Sequence, residues 1–237
     1  YLHSLVKYLF IVLSLNFLFS AQVLSANCTD ISGSTATFST SCTDLDIDGD
    51  GSNVTINSGV TIDGTKDAVG VANATNTTLT NNGTISASDT KGLSNNTSSS
   101  INTLTNSGTI TSTTEYGLWN NDGATITTLT NSGDILSKRN GLYNKSATIT
   151  TLTNTGNIKA TAGKYGLKNV GGTIGTLNNS GTISSTTRWG VHNSDSGVIT
   201  TLINSGTISS NRAGLRNDAT ITTLTNSGNI KALSGHY

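Results

Sequence analysis

One phrase returns seven times along this chain: a Leu, then Asn, Gly and Ile, each two residues after the one before. The leucines are Leu79, Leu104, Leu129, Leu152, Leu177, Leu202 and Leu224, at intervals of 22 to 25 residues. No member of the other three columns is substituted: Asn81, Asn106, Asn131, Asn154, Asn179, Asn204 and Asn226, then Gly83 through Gly228, then Ile85 through Ile230. A second phrase, Gly, Leu or Val, any residue, Asn, alternates with the first. It runs from Gly70–Asn73 through Gly92–Asn95, Gly117–Asn120, Gly141–Asn144, Gly166–Asn169 and Gly190–Asn193 to Gly214–Asn217. A fixed period of this length marks a solenoid, in which each repeat is completed only by its neighbours.

A spacing of two is the side-chain period of a strand, so Leu, Asn, Gly and Ile of one phrase are expected on one inward face, and helix is excluded. Two or three short strands per repeat cannot bury a face alone. Stacked in parallel register at about 4.8 Å per coil, they put Leu on Leu and Ile on Ile in a thin, continuous core. An inward Asn is a costly buried amide unless its side-chain N–H reaches the amide carbonyl of the Asn one coil on. The phrase therefore predicts a ladder in which only the last member is unsatisfied. The Gly between Asn and Ile is expected at a corner where any side chain would crowd the adjacent coil. The predicted fold is all-β: a parallel β-helix of about seven to eight coils over residues 54–237. With 33% apolar and 5% aromatic residues the chain has little material for a compact globular core, and its unbroken register argues against disorder. A formal net charge of zero argues against a dedicated nucleic-acid binder.

Residues 1–26 read as a secretory leader. Lys7 supplies the positive start, Tyr8 to Ser20 the apolar stretch, and cleavage is expected after Ala26 or after Ser25. The stretch is short for a bilayer and Asn16 interrupts it. The sequence begins at Tyr1 and contains no Met, so the leader is expected to lack its own beginning. Cys28 and Cys42 are the only cysteines. An even count in an exported chain predicts one disulfide, within an N-terminal cap region over residues 27–53 that shields the first coil's open core and unpaired edge. Neither another Cys nor a nearby His accompanies them, which leaves a redox or metal role without support. At the other end, Gly156–Tyr165 aligns with Gly228–Tyr237; the first continues into Gly166–Asn169 and the second stops. That alignment predicts an N-terminal fragment cut in mid-coil.

Leader, stapled start and coils such as Ile126–Ile135 and Ile199–Ser209 together resemble the passenger region of Gram-negative autotransporters and the related filamentous-haemagglutinin-type adhesins, over residues 27–237. The resemblance implies a right-handed β-helix, a hand that crossover connections generally favour. It implies export to the cell surface or beyond, through an outer-membrane barrel encoded after Tyr237. It also implies adhesion or surface contact, with surface glycans or a host or neighbouring cell as partner; no cofactor is expected.

The rival reading is a carbohydrate-active β-helix of the polysaccharide lyase or hydrolase type, which needs acids and bases converging on one groove. Outside the leader and the last residues the chain offers one histidine, His192, and one glutamate, Glu115. Its nearest approach to an acid pair is Asp195 with Asp218 in successive turns, where aspartates usually serve as turn formers. No catalytic residue is therefore assigned. Asp44, Asp46 and Asp48 match the start of a calcium loop, but the twelfth position is Thr55 and not Glu. Leu45 and Ile47 facing inward with the aspartates outside is the reading preferred to metal.

Two surfaces stand out. If the Leu of the second phrase faces inward, strict alternation places Arg212, Gly214 and Arg216 together outside, above Arg188, Gly190, His192, then Lys164, Gly166, Lys168, then Arg139, Gly141, Tyr143, then Glu115, Gly117, Trp119. Trp119, Arg139, Tyr143, Lys164, Lys168, Arg188, His192, Arg212 and Arg216 thus form a candidate glycan-binding strip. Its cations would attract an anionic glycan or lipopolysaccharide, and its rings would stack on sugars over a bare glycine floor. The plainer reading is a solvated face whose charges discourage edge pairing. The second surface is a file of Thr immediately before each Leu, from Thr78 to Thr223, with a partial file after it that Asn178 and Ile203 interrupt. Such an array allows an ice-binding solenoid as a further alternative, although Thr ladders also simply suit strands.

Overall fold

The computed structural model describes residues 26–234. The expected leader therefore lies outside the described residues except for Ala26, as does the chain end at residues 235–237. The described chain is all-β, a parallel β-solenoid of 26 strands. The strands fall into three sheets, each taking every third strand in chain order, so one coil contributes one strand to each face. A central coil consists of Thr125–Asn131, Asp134–Ser137 and Asn140–Lys145. Eight such coils are complete, and Thr220–Asn226 with Asn229–Ala232 begins a ninth.

The columns superpose as the period requires. Leu104, Leu129 and Leu152 are cross-strand partners in the first sheet, Ile110, Ile135 and Ile158 in the second, and Leu118, Leu142 and Leu167 in the third. All nine are completely buried in one continuous core. The first phrase straddles a corner, with Leu and Asn closing the first sheet and Ile opening the second. Between them a Cβ on Gly133 would collide with the carbonyl of Gly108 and the backbone of Ser107 in the coil beneath, so only hydrogen fits there.

The Asn ladder is formed. Each side-chain amide donates to the next carbonyl oxygen, from Asn81 to Asn106, Asn131, Asn154, Asn179, Asn204 and Asn226, at 2.7 to 2.8 Å. The amides also reach backbone carbonyls, as Asn106 does to Asp134 at 3.1 Å, which ties the ladder to the corner it lines. A second ladder, which the sequence reading did not anticipate, runs through the Asn of the second phrase, from Asn95 through Asn120, Asn144, Asn169 and Asn193 to Asn217, each step 2.8 Å. Its start corrects the alignment of Gly70–Asn73 with the later phrases. Val69 pairs with Leu93 and Val71 with Asn95, so Val71 stands in the Asn column, while Asn73 lies in a left-handed turn with φ 53°. With Val beneath it, the buried carbonyl oxygen of Asn95 has no partner.

Cys28 and Cys42 form the expected disulfide, 14 residues apart in sequence, with Cα atoms 5.0 Å apart. The cap region is not a separate lid; it is wound as the first coil. Thr35–Phe38, Cys42–Thr43 and Leu45–Ile47 pair in parallel with Asn53–Ile56, Thr61–Gly64 and Asp67–Val71. Beneath it, Asn27 bridges to Thr43 and Ile31 to Ile47. The disulfide thus joins the chain's entry to the first coil.

Candidate functional site

The outer face of the third sheet gathers rings, with cations on it and in the turn just before it, and a break in alternation explains how. A Cβ on Gly117 would meet the carbonyl oxygens of Leu136 and Gly141 at 2.7 Å and the Ile135 side chain at 3.0 Å, so this position points into the corner of the core. Gly117 and Leu118 therefore face inward in succession, and the residue before the Gly is turned outside. The glycine floor expected from strict alternation at Gly117, Gly141, Gly166, Gly190 and Gly214 does not exist. In its place come three aromatic residues that the sequence reading missed: Tyr116, Tyr165 and Trp189. All three lie outside the apolar core cluster although they are largely covered. The signal for them was present in the recurrent Gly-Leu pair, since two inward residues in a row announce a bend.

Two files result. Trp119, Tyr143, Lys168, His192 and Arg216 are partners in successive coils, and beside them run Lys91, Tyr116, Asn140, Tyr165, Trp189 and Ala213. Every expected strip residue is brought to this face or to the turn just before it, where Glu115, Arg139, Lys164, Arg188 and Arg212 follow one another. The rings are packed against one another and capped by cations. Lys91 Nζ lies 4.3 Å from the Trp119 ring centre, and Lys168 Nζ lies 5.5 and 5.1 Å from those of Tyr143 and Tyr165. Around Trp189 stand Arg216 at 4.5 Å, Arg212 at 5.5 Å and Arg188 at 6.0 Å, with the His192 ring at 4.4 Å. Trp189 is only 6% exposed. These contacts use the ring quadrupole to hold the cations, and they cover Tyr116, Tyr165 and Trp189 while Trp119 and Tyr143 stay half-buried.

The carboxylates near the strip are already engaged. Glu115 pairs with Arg139 at 3.3 Å, while Asp218 accepts from Arg216 Nε at 2.6 Å and contacts His192 Nε2 at 3.0 Å. Burial holds the His192 pKa below its usual value against the opposing hydrogen bond to Asp218. The Arg216 hydrogen bond, then that of His192, lowers Asp218. Lys168 is also lowered, by burial first, with the charges of Lys164, Arg139 and Arg188 adding to it and Asp195 opposing. Asp195 lies in a left-handed turn with φ 52° and accepts from Ser194 Oγ, whereas Asp218 is engaged by Arg216 and His192.

At the corner between the second and third sheets, the turns leave a shallow groove of about 480 Å³ lined by Thr114, Lys138, Arg139, Gly163, Lys164 and Arg188. An adjoining hollow of about 380 Å³ shares Lys138 and Ala162 with it. Among the described residues, Lys138, Lys164, Arg188 and Arg212 have no carboxylate within ion-pair distance.

The first coils carry the opposite charge. Leu45 and Ile47 are buried and Asp46 lies on the outside of their strand, which is the strand reading of this acidic run. Burial, then the charges of Asp30, Asp44, Asp48 and Asp67, raises the Asp46 pKa. Among the described residues no three His, Cys, Asp or Glu side chains converge as a metal cluster would require. On the first sheet, Thr103, Thr128, Thr151, Thr176, Thr201 and Thr223 stack in register, as do Thr105, Thr130 and Thr153 before Asn178 and Ile203 interrupt the second file. No protein-family model, curated protein or solved structure matches this chain.

Proposed function

We propose that this chain is an exported, non-catalytic β-helical stalk, the passenger part of an autotransporter-like surface protein, which makes adhesive contact through its third face. The observation that carries this reading is the run of cations at the edge of that face, from Arg139 through Lys164 and Arg188 to Arg212, one per coil, along a rod whose backbone is hydrogen-bonded from coil to coil. Such a surface suits an extended partner better than a small substrate. The disulfide fits the same reading, because such bonds persist in oxidising, extracytoplasmic compartments. The carboxylates of the strip fit it as well, since Glu115 is held by Arg139 and Asp218 by Arg216 and His192.

Immunolabelling of intact cells of the source organism, with and without surface proteolysis, tests display. Attachment assays comparing those cells with a strain lacking the gene test contact. Surface label that proteolysis removes, together with weaker attachment of the deletion strain, is expected. Label seen only after permeabilisation sinks the reading. The rival enzyme reading is checked by incubating the purified chain with acidic polysaccharides and following chain length, where shortening would reverse the assignment.

A further inference from the structure

We infer that the groove at the corner of the second and third sheets holds a linear acidic polysaccharide lying lengthwise along the rod, and that the cations, not the rings, make the contact. The inference rests on the surface-contact reading and names its ligand class.

Lys138, Arg139, Lys164 and Arg188 all line this groove, and all four are exposed. They belong to three successive coils, so their spacing along the rod follows the strand separation of about 4.8 Å. Like charges at this spacing repel one another, and only Arg139 has a carboxylate partner among the described residues. The cost of assembling them is relieved by an anion that spans several coils. A monoanion reaches one or two of these side chains, whereas a polymer with a regularly repeated acid engages them all, each further contact being intramolecular. The groove is open and shallow, and Ala162, Gly163 and the hydroxyl-bearing Thr114 and Thr187 complete its lining. That shape admits a chain passing through and offers no enclosure for a small molecule.

The rings decide between an acidic polysaccharide and other polymers. A neutral sugar chain and a single-stranded nucleic acid both draw affinity from open aromatic faces. Here Tyr116, Tyr165 and Trp189 are at most 8% exposed, Trp119 and Tyr143 are half-buried, each of the five has a cation beside its ring, and none of them lines the groove. Recognition therefore runs through charge, in which the guanidinium groups of Arg139 and Arg188 supply paired donors for carboxylate or sulfate.

The test uses the purified chain with fluorescent dextran sulfate and polygalacturonate, and with neutral dextran and single-stranded DNA as comparisons. The variant Lys138→Gln/Lys164→Gln/Arg188→Gln alters only exposed groove residues. The variant Lys66→Gln/Lys159→Gln/Lys231→Gln removes the same charge elsewhere. Circular dichroism checks that both fold. The chain is expected to bind both acidic polymers and to release them as salt rises; the groove variant should lose about tenfold or more in affinity and lower the salt slope by about two to three, with the comparison variant within about twofold. Equal losses in the two variants, unchanged binding by the groove variant, or binding of neutral dextran or DNA as tight as that of the acidic polymers would each overturn the inference. A chain that binds acidic polysaccharide while intact cells fail to display it would sink the surface reading alone. Display and attachment without polysaccharide binding would sink the groove alone.

Discussion

The Asn at the heart of each phrase is a polar residue that the fold depends on. Asn131 receives from Asn106 at 2.7 Å and donates to Asn154 at 2.8 Å, with all three buried. Asn131→Ala deprives the Asn106 amide of one acceptor and leaves the Asn154 carbonyl without a side-chain donor, for an expected loss of about 3 kcal/mol from unsatisfied groups and cavity together. Asn226→Ala, at an exposed last rung, should cost about 1 kcal/mol or less. Hydrogen exchange of the flanking coils measures both. His192 supplies a pH dependence. Its folded pKa lies below its unfolded one because burial disfavours the imidazolium, so the unfolded chain binds the extra proton first. The contribution is whole above the usual histidine value of about 6.5 and is lost as pH falls through the lower folded pKa. Melting temperature followed against pH should show this loss, and His192→Gln should flatten it. At this scale the first ladder was legible in the sequence because its Asn keeps the period of two. Tyr116, Tyr165 and Trp189 were not, because the inward Gly shifts them by one position to the other face.

At the scale of strands and corners, the two kinds of glycine differ in what they tolerate. Gly133 has an ordinary φ, but a Cβ there would strike the backbone of the coil below; Gly123 has open space around it and a φ of +81°. Gly133→Ala must push two coils apart and should cost about 3 kcal/mol, the upper range for overpacking. Gly123→Ala meets only the left-handed penalty of about 1–2 kcal/mol. Thermal melts of the two variants should rank them in that order, and a milder Gly133→Ala would show that the corner yields. The same corners explain why one phrase never varies and the rest of the repeat does. Leu to Ile crosses the crowded corner in a fixed six residues, whereas the turn before the third sheet takes two residues between Ser137 and Asn140 and four between Ala160 and Tyr165. Parallel stacking was therefore readable from the sequence, and the sheet whose entry turn changes length was where strict alternation misplaced side chains. The register of Val71 under Asn95 was hidden for a related reason: the Gly70–Asn73 segment resembles the later phrase in letters but lies two positions further along its coil.

The molecule as a whole is a one-dimensional stack, so a local change should stay local. Each coil touches its neighbours above and below, and stability is close to a sum of coil and interface terms. The disulfide acts at one end of that sum. It closes a segment of 14 residues that includes the first-coil strand Thr35–Phe38 and ends in Cys42–Thr43. The chain-entropy model assigns about 3 kcal/mol to a closed loop near this length. Without the bond, the entry segment keeps its hydrogen bonds around Thr43 and Ile31 and the packing of Ile31, and the first coil has no other layer beneath it among the described residues. Reduction, or Cys28→Ser with Cys42→Ser, should abolish hydrogen-exchange protection in residues 35–47 and leave the coils beyond residue 100 unchanged. If protection fell throughout the chain, the coils would form a single cooperative unit and the additive description would fail. If it fell nowhere, the first coil would be held by its strand pairing alone. The predicted outcome also bears on the rod's use: the groove over Lys138 to Arg188 lies several coils from the staple, so acidic-polymer binding should survive reduction even as the first coil frays.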